Sequence, residues 1–188
     1  MLTITIKARK DAWNSDTETF ESLDRDWTIQ LEHSLISISK WEAKWKKPYL
    51  SETEKKTTEE VLDYIKCMTI TGNVPDNVYL FMDEENVRAI EQYIRDPYSA
   101  TWFNEGNSKV RAGSRLRGET LTSELIYYYM LANEIPFEAQ KWHINRLLTL
   151  IRICSEKNAE GNKMSKKDIL KRNSELNKAR RMALGTKG

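Results

Sequence analysis

Two histidines and two cysteines are the side chains in this sequence best suited to acid-base, metal or thiol chemistry. Neither His33 nor His143 is followed, three to five residues further on, by the second ligand that metal sites normally supply. Cys154 follows His143 by eleven residues, about 16 Å along one predicted helix, which is too far for a nucleophile and its base. The spacing does not exclude Cys67 and His33 as a nucleophile and its base, but no sequence motif supports that pair. Both histidines are therefore expected to have structural or surface roles.

The carboxylates and glycines give no stronger sign of catalysis. Glu42, Asp63 and Glu124 stand singly in helical contexts, and the adjacent Glu59 and Glu60 suit the start of a helix. The sequence contains no P-loop, no dinucleotide-binding glycine pattern and no nucleophile elbow. We therefore expect a protein that is not an enzyme and that needs no cofactor and no metal.

The composition predicts a folded, cytosolic protein with one hydrophobic core. The chain has 188 residues, 39% of them apolar, and its aromatic side chains include six Trp and eight Tyr. It contains no run of about 18 apolar residues, and its start, MLTITIKARK, lacks the order of a signal peptide. We expect no membrane contact, and cysteines that stay reduced.

The charges divide the chain into an acidic body and a basic tail. Residues 163–188 carry nine Lys or Arg and two acidic side chains, a net charge of +7. The 162 residues before them carry 21 basic and 26 acidic side chains, a net charge of −5. This asymmetry indicates that the tail contacts an acidic partner or docks on its own body.

A second basic cluster, with Arg111, Arg115 and Arg117, lies in the aperiodic stretch 98–118. This stretch is predicted to be a loop or a small hairpin, and it is a candidate contact surface. Lys and Arg at these densities can neutralise phosphates. However, the tail has no aromatic residue that could stack on bases, and the body is acidic. Nucleic-acid binding is therefore the less favoured alternative to binding an acidic protein surface.

Two aromatic groups are further candidates for contact with a partner. Trp41 and Trp45 stand one helical turn apart, and Trp is favoured at interface hot spots, although such a pair more often belongs to a core. The run Tyr127 to Tyr129 likewise belongs either to a partner interface or to the core, and its three side chains cannot all point inward. The candidate partner-binding residues are Lys166, Lys167, Lys171, Arg172, Lys178, Arg180, Arg181, Arg111, Arg115, Arg117, Trp41 and Trp45.

The elements that must position these residues are mainly helical. Apolar and polar residues alternate over 2–6 and 27–31, which predicts an N-terminal β-hairpin, residues 1–31, with a polar connection at 11–26. Three-to-four residue spacing then predicts a helical body over residues 32–157. Its predicted helices cover residues 32–47, 58–69, 84–96, 120–134 and 137–157, with a short helical segment around Val78 and Phe81.

Three details complete the predicted architecture. Thr57 with Glu60 has the pattern of a capping box, and Asp83 suits the start of the helix that follows it. The helix at 137–157, begun by Pro136, is apolar round much of its circumference and is expected at the centre of the fold. Residues 163–188 predict an amphipathic, basic C-terminal helix. The sequence thus predicts a mainly α, multi-helix single domain with a small N-terminal β-hairpin.

Four stretches of the chain carry a resemblance that spans nearly its whole length. They are LEHSLISISKWEAKWKKPYL (31–50), EVLDYIKCMT (60–69), SELIYYYMLANEIPFEAQKWHINRLLTLIRIC (123–154) and NKMSKKDILKRNSELNKARR (162–181). These stretches resemble a family of small proteins encoded in tailed-phage and prophage genomes. The family is similar to the products of tail gene modules that are interpreted as tail assembly chaperones.

This resemblance implies a bacteriophage protein that acts in the host cytoplasm. Proteins of the class bind the tape measure protein, or other phage tail proteins, during virion morphogenesis. In many phages they are made in short and extended forms by a programmed ribosomal frameshift. The class has no site motif to carry over to residues of this chain. The alternatives are a structural virion component, such as a head-tail connector or tail-completion protein, and a non-specific nucleic-acid-binding protein. Homo-oligomerisation is left open.

Overall fold

The structure, a computed structural model, describes residues 1–14, 18–51, 55–101, 103, 120–161, 170, 173–175 and 177–178. The fold is mainly α, as the sequence predicts. The chain divides into two compact units, Met1–Arg152 and Ile153–Gly188. Among the helices within the described ranges, none is long and apolar enough to cross a membrane.

The predicted N-terminal hairpin is present in the first unit. Strand β1, Leu2–Ile6, pairs antiparallel with β4, Trp27–Leu31, and Ile4 lies opposite Ile29. The side chains on one face of this pair are buried, because the alternation of apolar and polar residues presents a single apolar face to the helices. This prediction is confirmed.

The polar connection predicted at 11–26 is wrong, since most of it forms a second antiparallel pair. Strand β2, Arg9–Asn14, pairs with β3, Thr19–Leu23, and the register shifts between Arg9 and Ala12. Trp13 lies opposite Phe20, with their ring centroids 5.1 Å apart in an edge-to-face arrangement. Both rings are exposed, and the sequence of the two strands lacks the alternation of apolar and polar residues that would have revealed them.

The next two helices, α1 (Leu35–Trp45) and α2 (Thr58–Met68), begin at capping boxes. In the first box the Ser34 hydroxyl accepts the backbone N–H of Ser37. In the second the Thr57 hydroxyl accepts the backbone N–H of Glu60 at 3.2 Å, and the Glu60 carboxylate accepts the N–H of Thr57 at 2.8 Å. The predicted start of α2 is confirmed.

Removal of the second cap gives the first testable prediction. Thr57→Ala is expected to lower the free energy of unfolding by about 1 kcal/mol, because it leaves an N-terminal N–H of α2 without its acceptor. Urea unfolding at unchanged m-value measures the loss. Thr58→Ala is the matched control: Thr58 is the exposed first residue of α2 and makes no cap, so its loss should be below about 0.5 kcal/mol. Equal losses would contradict the role of the cap.

A short 3₁₀ helix, Asp76–Phe81, and helix α3, Glu84–Arg95, follow as predicted. The Asp83 side chain accepts the N–H of Asn86 at 2.8 Å and so caps α3. Helix α4 spans Ser123–Ala132, inside the predicted range. The predicted loop or hairpin at 98–118 lies mostly outside the described residues.

The single helix predicted at 137–157 is wrong, because the chain breaks before His143. A 3₁₀ helix, Phe137–Lys141, is followed by extended backbone at Trp142, and α5 (Ile144–Gly161) begins only afterwards. At the break His143 forms a β-bridge with Ser34, and the N–H of Ile144 donates to the carbonyl of His33 at 2.7 Å. Because the N–H of Ile144 bonds to His33, it is not available for the helical hydrogen bond to the carbonyl four residues before it, and the helix is interrupted here.

Helix α1 joins the parts of the first unit. It packs against α2, α4 and the 3₁₀ helix Phe137–Lys141, while β1 packs against α3. Its buried side chains include Leu35, Ile38 and Trp41. The shorter helix α1 thus has the central place that was expected of the helix at 137–157. Ile144 and Leu147 of α5 are buried as expected, whereas Phe137, also expected to be buried, is 51% exposed.

Candidate partner-binding surface

The two histidines, distant in sequence, meet in a buried aromatic cluster. Their ring centroids are 5.1 Å apart. His33 Nδ1 hydrogen-bonds to the hydroxyl of Tyr64 on α2. His143 donates from Nε2 to the carbonyl oxygen of Tyr93 at 3.0 Å and accepts the N–H of Asn145 at Nδ1, at 3.3 Å. Both ring nitrogens of His143 are therefore engaged in joining α3 to the start of α5.

Burial keeps this cluster uncharged. Burial, with a smaller contribution from the neighbouring His143, lowers the pKa of His33 to about 3. Burial also lowers the pKa of His143, against the opposing effect of the Tyr93 carbonyl, and it raises the pKa of Tyr64. Tyr64, and not Cys67, is the side chain bonded to His33. Within the described residues no three His, Cys, Asp or Glu side chains come together in a way that could hold a metal.

Trp41 is a core residue, so its assignment to a partner-binding surface is wrong. Its side chain is 1% exposed, and its Nε1–H donates to the carbonyl of Glu60 at 2.8 Å. The inward face of α1 carries it between α2 and Tyr49, whose ring centroid is 5.2 Å away. Trp45 is half-buried, stacks on Trp41 and donates to the Asp63 carboxylate at 2.9 Å.

Most of the basic candidate residues lie outside the described part of the chain. Lys178 is described, and it is helical and exposed. The candidates outside the described residues are Arg111, Arg115, Arg117, Lys166, Lys167, Lys171, Arg172, Arg180 and Arg181.

The outer side of α4 and the 3₁₀ helix after it present an exposed apolar surface. We call it the α4 face and define it by Tyr128, Leu131 and Phe137, which are 60%, 60% and 51% exposed. Tyr128 and Leu131 are three residues apart and so lie on one side of the helix. The half-buried Tyr127 lies one helical turn before Leu131 and packs near Phe137: its ring centroid is 6.4 Å from that of Phe137, and its hydroxyl donates to Gln140 at 2.9 Å.

The inner side of α4 fixes which residues point outward. Ile126 and Met130 are fully buried on that side. The buried carboxylate of Glu42 on α1 accepts the N–H of Ser123 at 2.7 Å and the N–H of Tyr49 at 2.8 Å, which holds the first turn of α4 in place. A helix that is apolar on both sides is normally covered on both sides. The α4 face is therefore the side that lacks a cover within the described residues.

Acidic side chains adjoin the residues of the α4 face along the chain, and one of them, Glu124, is near Lys46 at the end of α1. Glu124 stands one helical turn before Tyr128, Glu134 follows the end of α4, and Glu138 follows Phe137; all three are exposed. Residues 120–140 contain these three acids and no Lys or Arg. The surface thus combines an apolar centre with a negative edge.

A second exposed aromatic pair lies on the β2–β3 ribbon. Trp13 and Phe20 face each other across the strands and are both exposed. Each surface has a signal in the sequence: two large aromatic residues stand within a polar stretch, and the ten-residue helix SELIYYYMLA has only one charged residue. The run of three tyrosines pointed to the right helix, but sequence could not say which of them faces outward.

Comparisons of the chain with protein-family models, with curated proteins and with solved structures return no match.

Proposed function

We propose that this protein is a non-enzymatic tail assembly chaperone of a tailed phage, which binds the tape measure protein in the host cytoplasm during tail building. The observation that supports this proposal is the α4 face, an apolar surface on a packed unit that has no cover within the described residues. Contiguous exposed apolar surfaces on soluble domains are commonly sites of protein–protein contact. The resemblance of four stretches of the chain to phage tail-module proteins suggests the partner.

The chemistry of the surface suits that partner. Under the resemblance, a tape measure protein is a long helical chain with apolar faces, which a chaperone would cover transiently. A rigid apolar surface that receives one face of a helix is a recurring mode of recognition. The α4 face, built on a helix held at its first turn by Glu42, has the fixed geometry that this mode needs.

The basic C-terminal segment, residues 163–188, is proposed as a second region of contact. It carries the net charge of +7, and its described residues 173–175 and 177–178 are helical and exposed. A basic amphipathic helix would add electrostatic attraction to acidic segments of the partner, which mainly raises the rate of association.

The second testable prediction concerns the tape measure protein. When this chain is co-expressed with the tape measure protein encoded beside it, the two are expected to co-purify, and more of the tape measure protein should stay soluble than when it is expressed alone. An affinity pull-down followed by quantification of the soluble fraction makes the measurement, with an unrelated helical protein of similar length as the control bait.

The same system separates the chaperone from a virion component. A chaperone should be absent from purified particles or present in traces. Presence at a fixed ratio to the tail or connector subunits, together with no association with the tape measure protein, would replace this proposal with the connector or tail-completion alternative.

A further inference from the structure

We propose that the α4 face binds an amphipathic helix whose apolar stripe is flanked by Lys and Arg; this rests on the proposed function only in taking the partner to be helical. The surface is the one defined by Tyr128, Leu131 and Phe137.

The shape of the surface is the first reason. Tyr128 and Leu131 form a ridge along α4. Phe137, on the following 3₁₀ helix, packs beside Tyr127, which lies one helical turn before Leu131. A ridge flanked by a second row of side chains provides a groove for the ridge of another helix. Tyr and Phe fill such a groove at low cost in side-chain entropy, because each has only two rotatable side-chain bonds.

The charge around the surface is the second reason. Glu124, Glu134 and Glu138 place three carboxylates at the edge of the apolar residues, in a stretch with no basic side chain until Lys141. Carboxylates at the rim of an interface favour partners with basic flanks and disfavour those with acidic flanks. The charge therefore selects among amphipathic helices that would fit equally well by shape.

The same charge argues against two other occupants. A second copy of this chain, related by a two-fold axis, would bring this surface against itself and so oppose the carboxylates of both copies. An anionic lipid surface would repel the same three carboxylates. A separate helix with basic flanks satisfies the apolar centre and the negative edge together.

Two designed peptides test the inference directly. One is an 18-residue amphipathic helix of Leu and Lys, and the other has the same Leu positions with Glu in place of every Lys. Fluorescence anisotropy with the full chain is expected to show binding of the Leu/Lys peptide at least about tenfold tighter than of the Leu/Glu peptide. No binding of the Leu/Lys peptide would overturn the inference. Because the basic residues 163–188 can attract the Leu/Glu peptide by themselves, the two peptides are compared by the affinity that each loses in the Tyr128→Ser, Leu131→Ser variant, and equal losses would also overturn the inference.

Variants locate the binding surface. Tyr128→Ser with Leu131→Ser should weaken binding of the Leu/Lys peptide by at least about tenfold, since both side chains stand at the centre of the surface. The matched control is Trp13→Ser with Phe20→Ser, which removes two exposed apolar side chains from the ribbon and should leave the affinity within about twofold. Thermal melts check that each variant is folded. Equal losses in the two double variants would overturn the assignment.

A second set of variants tests whether the three carboxylates beside the α4 face, and not the net charge of the chain, cause the preference for the Leu/Lys peptide. Glu124→Gln, Glu134→Gln and Glu138→Gln together should reduce the preference for the Leu/Lys peptide. The control replaces three exposed acids of α3, Glu84, Glu85 and Glu91, by Gln, with the same change in net charge. Equal reductions would mean that attraction to the whole chain, and not the edge of the α4 face, decides the preference, which contradicts the inference.

Failure of this inference and failure of the proposed function give different results. If the tape measure protein co-purifies equally well with the Tyr128→Ser, Leu131→Ser variant, the function stands and the surface assignment fails. If the peptides discriminate as expected but the tape measure protein does not associate, the surface stands and the function fails. Sedimentation of a dimer that this double variant converts to a monomer would assign the surface to a second copy and overturn the inference.

Discussion

Trp41→Ala is expected to lower the free energy of unfolding by about 4 kcal/mol, the largest loss expected from any single substitution considered for this protein. The Trp41 side chain fills the space between α1, α2 and Tyr49, and its Nε1–H bonds to the Glu60 carbonyl on α2. Truncation leaves a cavity of nearly the volume of an indole ring, which the surrounding helices can close only in part.

Trp45 provides a matched control on the same helix. Trp45→Ala removes a half-buried indole that stacks on Trp41 and bonds to Asp63, so its loss should be about 1 kcal/mol. Chemical unfolding of both variants, followed by circular dichroism, measures the difference. If Trp45→Ala proved the more damaging change, or if Trp41→Ala left stability unchanged, Trp41 would not have the core position described above.

Acidification from about pH 7 to about pH 5 is expected to lower the free energy of unfolding by about 2 kcal/mol through His33 alone. In the unfolded chain this imidazole takes up a proton near its ordinary pKa of 6.5, whereas burial lowers its pKa in the folded protein to about 3. The unfolded state therefore binds more protons at every pH between these two values. The contribution of neutral His33 to the free energy of unfolding is present above about pH 6.5 and is lost as the pH falls toward 3.

The neighbours of His33 do not reverse this sign. The pKa of His143 is also lowered, chiefly by burial, so protonation of this residue destabilises the fold in the same direction. Tyr49 and Tyr64 stay neutral throughout, because burial raises the pKa of each. The two buried histidines thus make the stability of the first unit sensitive to acid, and both imidazoles are uncharged at neutral pH.

The variant His33→Asn isolates the effect. It keeps an acceptor near the position of Nδ1 but does not titrate, so its stability should depend on pH less steeply, by about 1.4 kcal/mol per pH unit near pH 5. Thr57→Ala, which changes stability without removing a titrating group, should give a curve parallel to that of the unaltered protein. Urea midpoints between about pH 5 and pH 7 provide the data. A slope unchanged by His33→Asn would show that His33 is not held neutral in the fold.

Several elements of the fold could be predicted because their signals are local. The alternation over β1 and β4, the capping box at Thr57 and the cap at Asp83 each depend on residues within a few positions of one another. The same holds for the 3₁₀ turn around Val78 and Phe81. A window of a few neighbouring residues therefore contains the whole signal, and here the tertiary packing agrees with it.

The break before His143 shows where local signals fail. Pro136 and a long apolar run predicted one continuous helix, and nothing nearby in the sequence contradicts it. The decisive hydrogen bond joins the N–H of Ile144 to the carbonyl of His33, which belongs to a distant part of the chain. A backbone conformation set by a partner so far away in sequence cannot be read from a window of neighbouring residues.

By itself, the sequence determined that this protein is mainly helical, that β1 and β4 pair, and that α2 and α3 begin after Thr57 and Asp83, because periodicity and capping act over one or two turns. Only the tertiary structure decided that the two histidines meet as a neutral pair, that Trp41 is covered by α2, and that Tyr128 and Leu131 are left uncovered. Where a helix is apolar on two sides, as α4 is, composition cannot choose the side that is buried. That choice depends on which neighbouring elements pack against it, and the buried contacts of Ile126 and Met130 settled it here.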